Sequence, residues 1–451
     1  MLAGMAPVRA ETLADALVDV YNSSGLLQQN RALLRAADED VGRAVSALRP
    51  ILDWTADITH SFSDSSRDGF SLSQDATDAN LGVTGSLLLY DFGETRFGIR
   101  AAKQTVLATR QALLSIEQQV LLRGVRAYMN VIRNRELVAV RVNNLELLRQ
   151  ELRAARDRFQ VGEVTRTDVA QAESRVAAAE SGLAAARGDL IRAEEEFRSA
   201  ASRPPGVFQT PTQMPRLGED VEAARKVALR RHPDLLKARY DVATAEQNIL
   251  VAEAVMKPDL ALIGRYSVGE SLENSDDVQS GSVGITLSGP IYQGGLLSAE
   301  LRRAIAQRDA QRGQLHLARL QVVQDVGNAY ADLRAAEASR KASREEVRAA
   351  TIAFEGAREE ARLGARTTLD VLDNEQDLLD ARANLISANA DVVIAAYSIL
   401  AAIGELTVET LNLDVARYDP AAYYGLAKGA PTALSERGRK LDQVLRALGR
   451  Q

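Results

Sequence analysis

Arg366, Asp370 and Asp373 fall within LGARTTLDVLD, residues 363–373, behind Gly364 and among apolar residues. An arginine and two carboxylates one helical turn apart could be a catalytic cluster, a metal site or a salt-bridged turn, and each needs different surroundings. Catalysis and metal binding find little support elsewhere in the chain. His60, His232 and His316, its three histidines, are scattered, and none has the spacing of a ligand pair. GSVGITLSG, residues 281–289, has glycines but lacks the lysine and following hydroxyl of a phosphate loop, and it reads as a strand. No Ser/His/Asp arrangement is suggested. The absence of cysteine excludes disulfides, thiolate chemistry and a lipidated N-terminal cysteine. The expectation is a protein that is not an enzyme and needs no metal or cofactor.

The residue supply points to what must position that cluster. Only 4% of the 451 residues are aromatic, while 46% are hydrophobic and 26% charged. With alanine abundant, this mix favours long helices with narrow apolar seams over a thick globular core. A formal charge of −6 argues against a nucleic-acid partner, which asks for a basic face. No apolar run is expected to be long enough for a membrane-spanning helix. MLAGMAPVRA, residues 1–10, carries Val8 and Ala10 at the spacing that precedes a signal-peptidase cut, and reads as the remnant of an export signal.

The chain is written twice. AYMNVIRN from Ala127 matches AYADLRAA from Ala329 at its start, Tyr90 pairs with Tyr292, Gly162 with Gly364, and Asp168 with Asp370, and each pair is 202 residues apart (292−90 = 370−168 = 202). One spacing held without slippage predicts two copies of one structural unit.

Each copy opens after a proline, Pro50 or Pro258, with alternating residues that predict strands. Trp54, Ala56, Ile58, His60 and Phe62 share one face, and Asp53, Thr55, Asp57, Thr59 and Ser61 the other. Leu81, Val83, Leu87 and Leu89 alternate in the returning strand; Leu260, Leu262, Tyr266 and Val268, then Val283, Ile285 and Leu287, repeat the pattern. With SDSSRDGFSLSQDATD and ESLENSDDVQSG as polar loops, the expectation is two hairpins with strands of about ten residues, enough to cross a bilayer when tilted. Tyr90 and Tyr292 are placed to pack or to anchor at the membrane interface.

A proline-free periodic stretch follows each hairpin, and as a helix of about 68 residues it would be about 100 Å long. The turns VGEVTRTDV and LGARTTLDV then reverse the chain into second helices. There Val169, Val176, Leu183, Leu190 and Phe197, and in the second copy Val371, Leu378, Leu385, Val392 and Ile399, recur every seven residues with alanines interleaved, as in a close-packed coiled coil.

The predicted organisation is a signal remnant, 1–10; a first repeat, 11–202, with a helix, a hairpin near 51–91, a long helix near 93–161 and a helix near 165–201; a proline-rich linker, 203–217; a second repeat, 218–404, with a helix, a hairpin near 259–292 and helices near 295–363 and 366–404; and a tail, 405–451. The leading helices are expected over 11–48 and 220–255. The tail is read as a Tyr-rich, Pro-bearing loop and a helix from Ser435 to Leu448.

Four strands cannot close a barrel, and unpaired edges are not tolerated in lipid, so membrane hairpins would need strands from further copies. Tandem copies of hairpin, long helix, turn and heptad helix, with VGEVTRTDV, LGARTTLDVLD, YDFG and YQGG at the junctions, resemble the TolC family of outer-membrane efflux and secretion ducts over residues 11–404. The resemblance implies a fold that mixes a membrane β-barrel with an all-α coiled-coil barrel. In it a homotrimer pools its strands into a 12-stranded β-barrel on a 12-helix α-barrel tunnel in the periplasm. It also implies a periplasmic membrane fusion (adaptor) protein and an inner-membrane transporter, of RND or ABC type, as partners.

On the same resemblance, LGARTTLDVLD lies at the periplasmic mouth. Gly364 gives the turn its backbone freedom, and Thr367 is placed to cap the next helix. Asp370 and Asp373 share a helical face and match the family's cation-selective constriction; a ring of like charges should bind cations or retain protons. Arg366 matches the arginine that helps hold the mouth shut, and Asp168 with Thr167 matches its partner on the neighbouring coil. Val161, Gly162, Leu363 and Gly364 are the expected contacts of the adaptor. The best-studied members carry a tyrosine where this chain has Ala361, so the closed state is expected to be held either by fewer bonds or by Arg362 and Glu360 instead. A soluble coiled-coil adaptor or scaffold is the rival reading; its heptads would look similar, but it has no need of two strand pairs of membrane-crossing length. Cargo is not written in the sequence.

Overall fold

The computed structural model describes residues 10–67, 70–211, 213–218, 220–272 and 277–448, so all of the expected signal remnant but Ala10 lies outside the described residues. In chain order the elements are α1 (Leu13–Ser23), α2 (Gly25–Ser46), β1 (Ile51–Arg67), β2 (Phe70–Tyr90), α3 (Glu94–Gln160), α4 (Arg166–Ala201), α5 (Val221–Arg231), α6 (Pro233–Ala254), β3 (Asp259–Ser271), β4 (Asp277–Ser288), α7 (Leu296–Arg362), α8 (Thr368–Ala402), α9 (Pro420–Ala427) and α10 (Glu436–Leu448). They fall into two compact units. The first comprises Met1–Arg31, Gln111–Leu236 and Leu317–Arg417, the second Ala32–Arg110, Lys237–His316 and Tyr418–Gln451.

Helix ends follow local chemistry. α3 and α7 each run 67 residues and stop at Gly162 and Gly364, whose φ angles of +81° and +76° favour a residue without a Cβ. The expected single helices over 11–48 and 220–255 are each broken in two. Ser24 turns extended between α1 and α2, and His232 does so between α5 and α6 because the ring of Pro233 disfavours helical geometry in the residue before it.

In the first unit, Ala172, Ala179, Leu183, Ala193 and Phe197 of α4 are buried, as are Val371, Leu378, Ala381, Ala388, Val392, Ala395 and Ile399 of α8. Alanine between large residues lets helices approach closely along such a seam. The expectation that no helix could cross a membrane needs correction at α8, which alone among the described residues reaches the length and apolarity required. Its apolar residues are spent on packing: Leu372 joins Leu145, Leu148, Ala179 and Leu183, while Val371 and Leu378 join Phe354.

The proline-rich linker is held down. Phe208 stacks on Tyr128 with ring centroids 4.2 Å apart and meets Phe197 edge-on at 4.9 Å. The Tyr128 hydroxyl donates to the Gln209 carbonyl at 2.6 Å, with the Glu11 carbonyl also within reach at 2.9 Å.

In the second unit the strands form one antiparallel sheet of order β1-β2-β3-β4. β1 and β2 span 17 and 21 residues, β3 and β4 13 and 12. The expected strands of about ten residues and their polar loops are therefore corrected: Ser63 pairs with Gln74 and Ser65 with Leu72, inside the segment read as a loop. Polar side chains do not interrupt a ladder whose hydrogen bonds come from the backbone. The tail also differs from expectation, since its Pro-bearing stretch is a helix, α9, with Asp419 as N-cap and proline in its first turn. Tyr423 and Ala427 of α9 pack against Leu441 of α10.

Candidate functional site

At the two turns the chain uses one device twice. Thr165 begins α4 by accepting from the Asp168 N–H at 3.3 Å, while the Asp168 carboxylate accepts from the Thr165 N–H at 2.8 Å and its hydroxyl at 2.8 Å. Thr367 and Asp370 repeat it at the start of α8, with 3.2 Å, 3.1 Å and 2.8 Å. These capping boxes satisfy orphan donors of the first helical turn. Both carboxyls are held below the usual Asp range by the Thr hydroxyl first and the Thr backbone N–H second. Within the chain Asp168 is thus engaged by Thr165. The spacing of a hydroxyl three residues before an Asp was present in the sequence at both turns.

Arg366 donates to Glu360 at 2.5 Å, so within one chain its partner is on α7. Arg362 pairs with Glu359 at 3.4 Å. Arg366 and Asp168 nevertheless line one polar cleft of about 520 Å³, together with Arg158 and Glu163 from the first turn and Arg362 and Thr367 from the second. Ala361 also lines it and packs on the cluster of Phe354, Val371 and Leu378. Val161 and Leu363 are exposed at the tips beside Gly162 and Gly364.

Asp370 and Asp373 have separate partners within the chain. Asp370 turns back into its capping box, and Asp373 forms an ion pair with Arg175 of α4. Sequence reasoning passed over Arg175, and also Glu375, which is buried on α8; both look in sequence like ordinary charges on a solvated helix face.

In the second unit, register sorts the sheet into two faces. Trp54 lies opposite Val83, which lies opposite Tyr266; Leu81 lies opposite Val268, and Leu262 opposite Ile285. These side chains share one face because directly paired residues point the same way. Trp54 and Phe62 are 74% and 80% exposed there. The other face carries Asp53, Thr55 and Asp57, with Asn80 donating to Asp57 at 3.2 Å and the Ser267 and Ser280 hydroxyls 2.8 Å apart. Tyr90 is half-exposed against Phe92 at 4.8 Å, and Tyr292 is exposed.

A sheet with one exposed apolar face and one polar face, joined to helices with alanine-spaced seams and capped hairpin turns, defines an integral membrane protein with a coiled-helix body. The chain belongs to the outer membrane efflux protein family, whose model matches residues 17–203 and 224–405. The outer membrane efflux protein BepC of Brucella suis is 35% identical over 430 residues, 95% of this chain and 92% of that protein. The outer membrane protein TolC of Escherichia coli is 27% identical over 424 residues, 88% of this chain and 84% of that one. Among solved structures, the outer membrane protein VceC of Vibrio cholerae shares the fold, with a TM-score of 0.73 and 19% identity over 87% of this chain and 96% of that one. The chain is accordingly an outer-membrane protein of a channel family.

Proposed function

We propose that this chain is one subunit of an outer-membrane exit duct. It would conduct drugs, other small molecules or exported proteins passively through the periplasm and outer membrane, within a tripartite efflux pump, a type I secretion system or both. The observation that carries this reading furthest is the two-faced sheet with open edges. Large apolar side chains stand exposed on one face and hydroxyls, carboxylates and amides on the other, as expected where lipid lies outside and water inside. Among the described residues β1 and β4 each pair on one side only, and backbone edges in lipid must be closed.

Further copies of the chain supply that closure. On the family resemblance three chains give twelve strands and a twelve-helix tunnel. Leu317, Leu320 and Ile352 of α7 are exposed and supply apolar surface for a neighbouring copy. The turns at Gly162 and Gly364 are read as contacts for a periplasmic adaptor, with an RND or ABC transporter in the inner membrane beyond it. Arg366, Asp168 and the cleft between them are read as the latch, with Asp370 and Asp373 as the constriction. The duct works without catalysis or a cofactor. A soluble adaptor would have no use for an exposed apolar sheet face.

Fractionation tests this reading. The expected result is recovery in the detergent-extracted outer membrane as a heat-modifiable oligomer; recovery as a soluble monomer would refute it.

A further inference from the structure

Glu375 sits where a heptad seam would normally place an apolar residue. It is 4% exposed and lies one turn from Val371 and Leu372 on one side and Leu378 and Leu379 on the other, all four of them buried. Leu372 packs into α3 and α4 through Leu145, Leu148, Ala179 and Leu183, and Val371 and Leu378 pack with Phe354 of α7 and Leu147 of α3. One carboxyl oxygen accepts from the Asn144 amide of α3 at 2.7 Å. The other, Oε2, is buried with no hydrogen-bond partner.

The charged groups around it come from α3 and α7. Glu151 of α3 disfavours a second negative charge. Arg358 of α7 favours it, but is drawn to Glu151 at 3.8 Å. α4 presents Val176, Ala179 and Leu183, and its Arg175 is taken by Asp373. Burial is the largest influence, and against the Asn144 bond and Arg358 it pushes the carboxyl up to about 7.

We propose that Glu375 is a positioning residue for the mouth: protonated, it seats α8 and the Asp370–Asp373 turn against α3, and its ionisation loosens that seat. An ionised carboxylate with an unpartnered oxygen is poorly accommodated in an apolar seam, and moving α8 outward lets water reach it. Packed, Glu375 holds its proton to a higher pH than when hydrated. The seated arrangement is therefore unpenalised below the ordinary glutamate range, weakens as pH rises from there to about 7, and stays weakened above. In a periplasm that follows external acidity, acid would hold the mouth closed and neutrality would ease it open.

This inference rests on the duct reading, and one experiment separates them. Conductance of the purified protein in planar bilayers is recorded between about pH 5 and pH 8 for wild type and for Glu375→Gln, which keeps an acceptor for Asn144 but cannot ionise. Wild-type conductance should rise roughly 3- to 10-fold over that range, while the variant stays at the acid level throughout. A variant that keeps the wild-type rise would overturn the role of Glu375. A wild-type protein silent at every pH would overturn the duct reading itself. Should Glu375→Gln fail to assemble, Glu375→Met, similar in size and apolar, reads the same prediction.

Discussion

Arg366 has a partner inside its own chain, Glu360, and half-exposed ion pairs of this kind are worth under about 1 kcal/mol each. In the proposed duct, a latch built from such pairs would be weak enough to be opened by docking, and one substitution would remove it in every copy. Arg366→Ala should raise time-averaged conductance in planar bilayers about 2- to 5-fold, the factor equivalent to ~0.5–1 kcal/mol; unchanged conductance would remove Arg366 from the latch. The two aspartates predict block by multivalent cations added from the periplasmic side, lost when Asp370→Ala and Asp373→Ala are combined. Because Arg175 neutralises part of that charge from α4, Arg175→Ala should strengthen the block. The roles of Arg366 and the two aspartates come from the family resemblance, while the turn glycines and the capping Thr367 were legible in the sequence itself. Arg175 and Glu375 were not, since a charge reveals its partner or its burial only when the neighbouring helices are in place.

Alternation sorted the faces of the sheet correctly because period 2 fixes which side each residue occupies. It underestimated strand length, because beyond the apolar band the ladder continues through serines and aspartates whose polarity says nothing about backbone pairing. Asp419 and Pro420 are a helix start signal for α9, but its eight residues are too few for periodicity to register. The long helices were legible to within a residue or two because nothing in them breaks a helix before Gly162 and Gly364. The assigned faces make a paired prediction. Ile285→Arg, on the apolar face, should destabilise the folded assembly by about 2–4 kcal/mol near the bilayer midplane, seen as loss of the heat-modifiable band. Its neighbour Thr286→Arg, on the polar face, should leave that band intact and change ion selectivity. Equal effects from both would refute the assignment.

At the scale of the whole molecule, one chain carries half-finished surfaces: apolar strands with open edges and a long helix with exposed leucines. On the proposed reading, completion by identical copies would close both, and conduction, latching and the carboxylate ring would all depend on that step. The chain has no cysteine, so introduced thiols report unambiguously on which edges meet. The most direct measurement is a disulfide scan between chains, with Thr55→Cys on β1 combined in turn with Ser280→Cys, Ser282→Cys and Gly284→Cys on β4, in protein extracted from the outer membrane and separated without reductant. If copies pair β1 with β4, at least one combination should yield a ladder ending at three linked chains, with none from either single variant. Monomer bands alone for every combination would contradict that pairing.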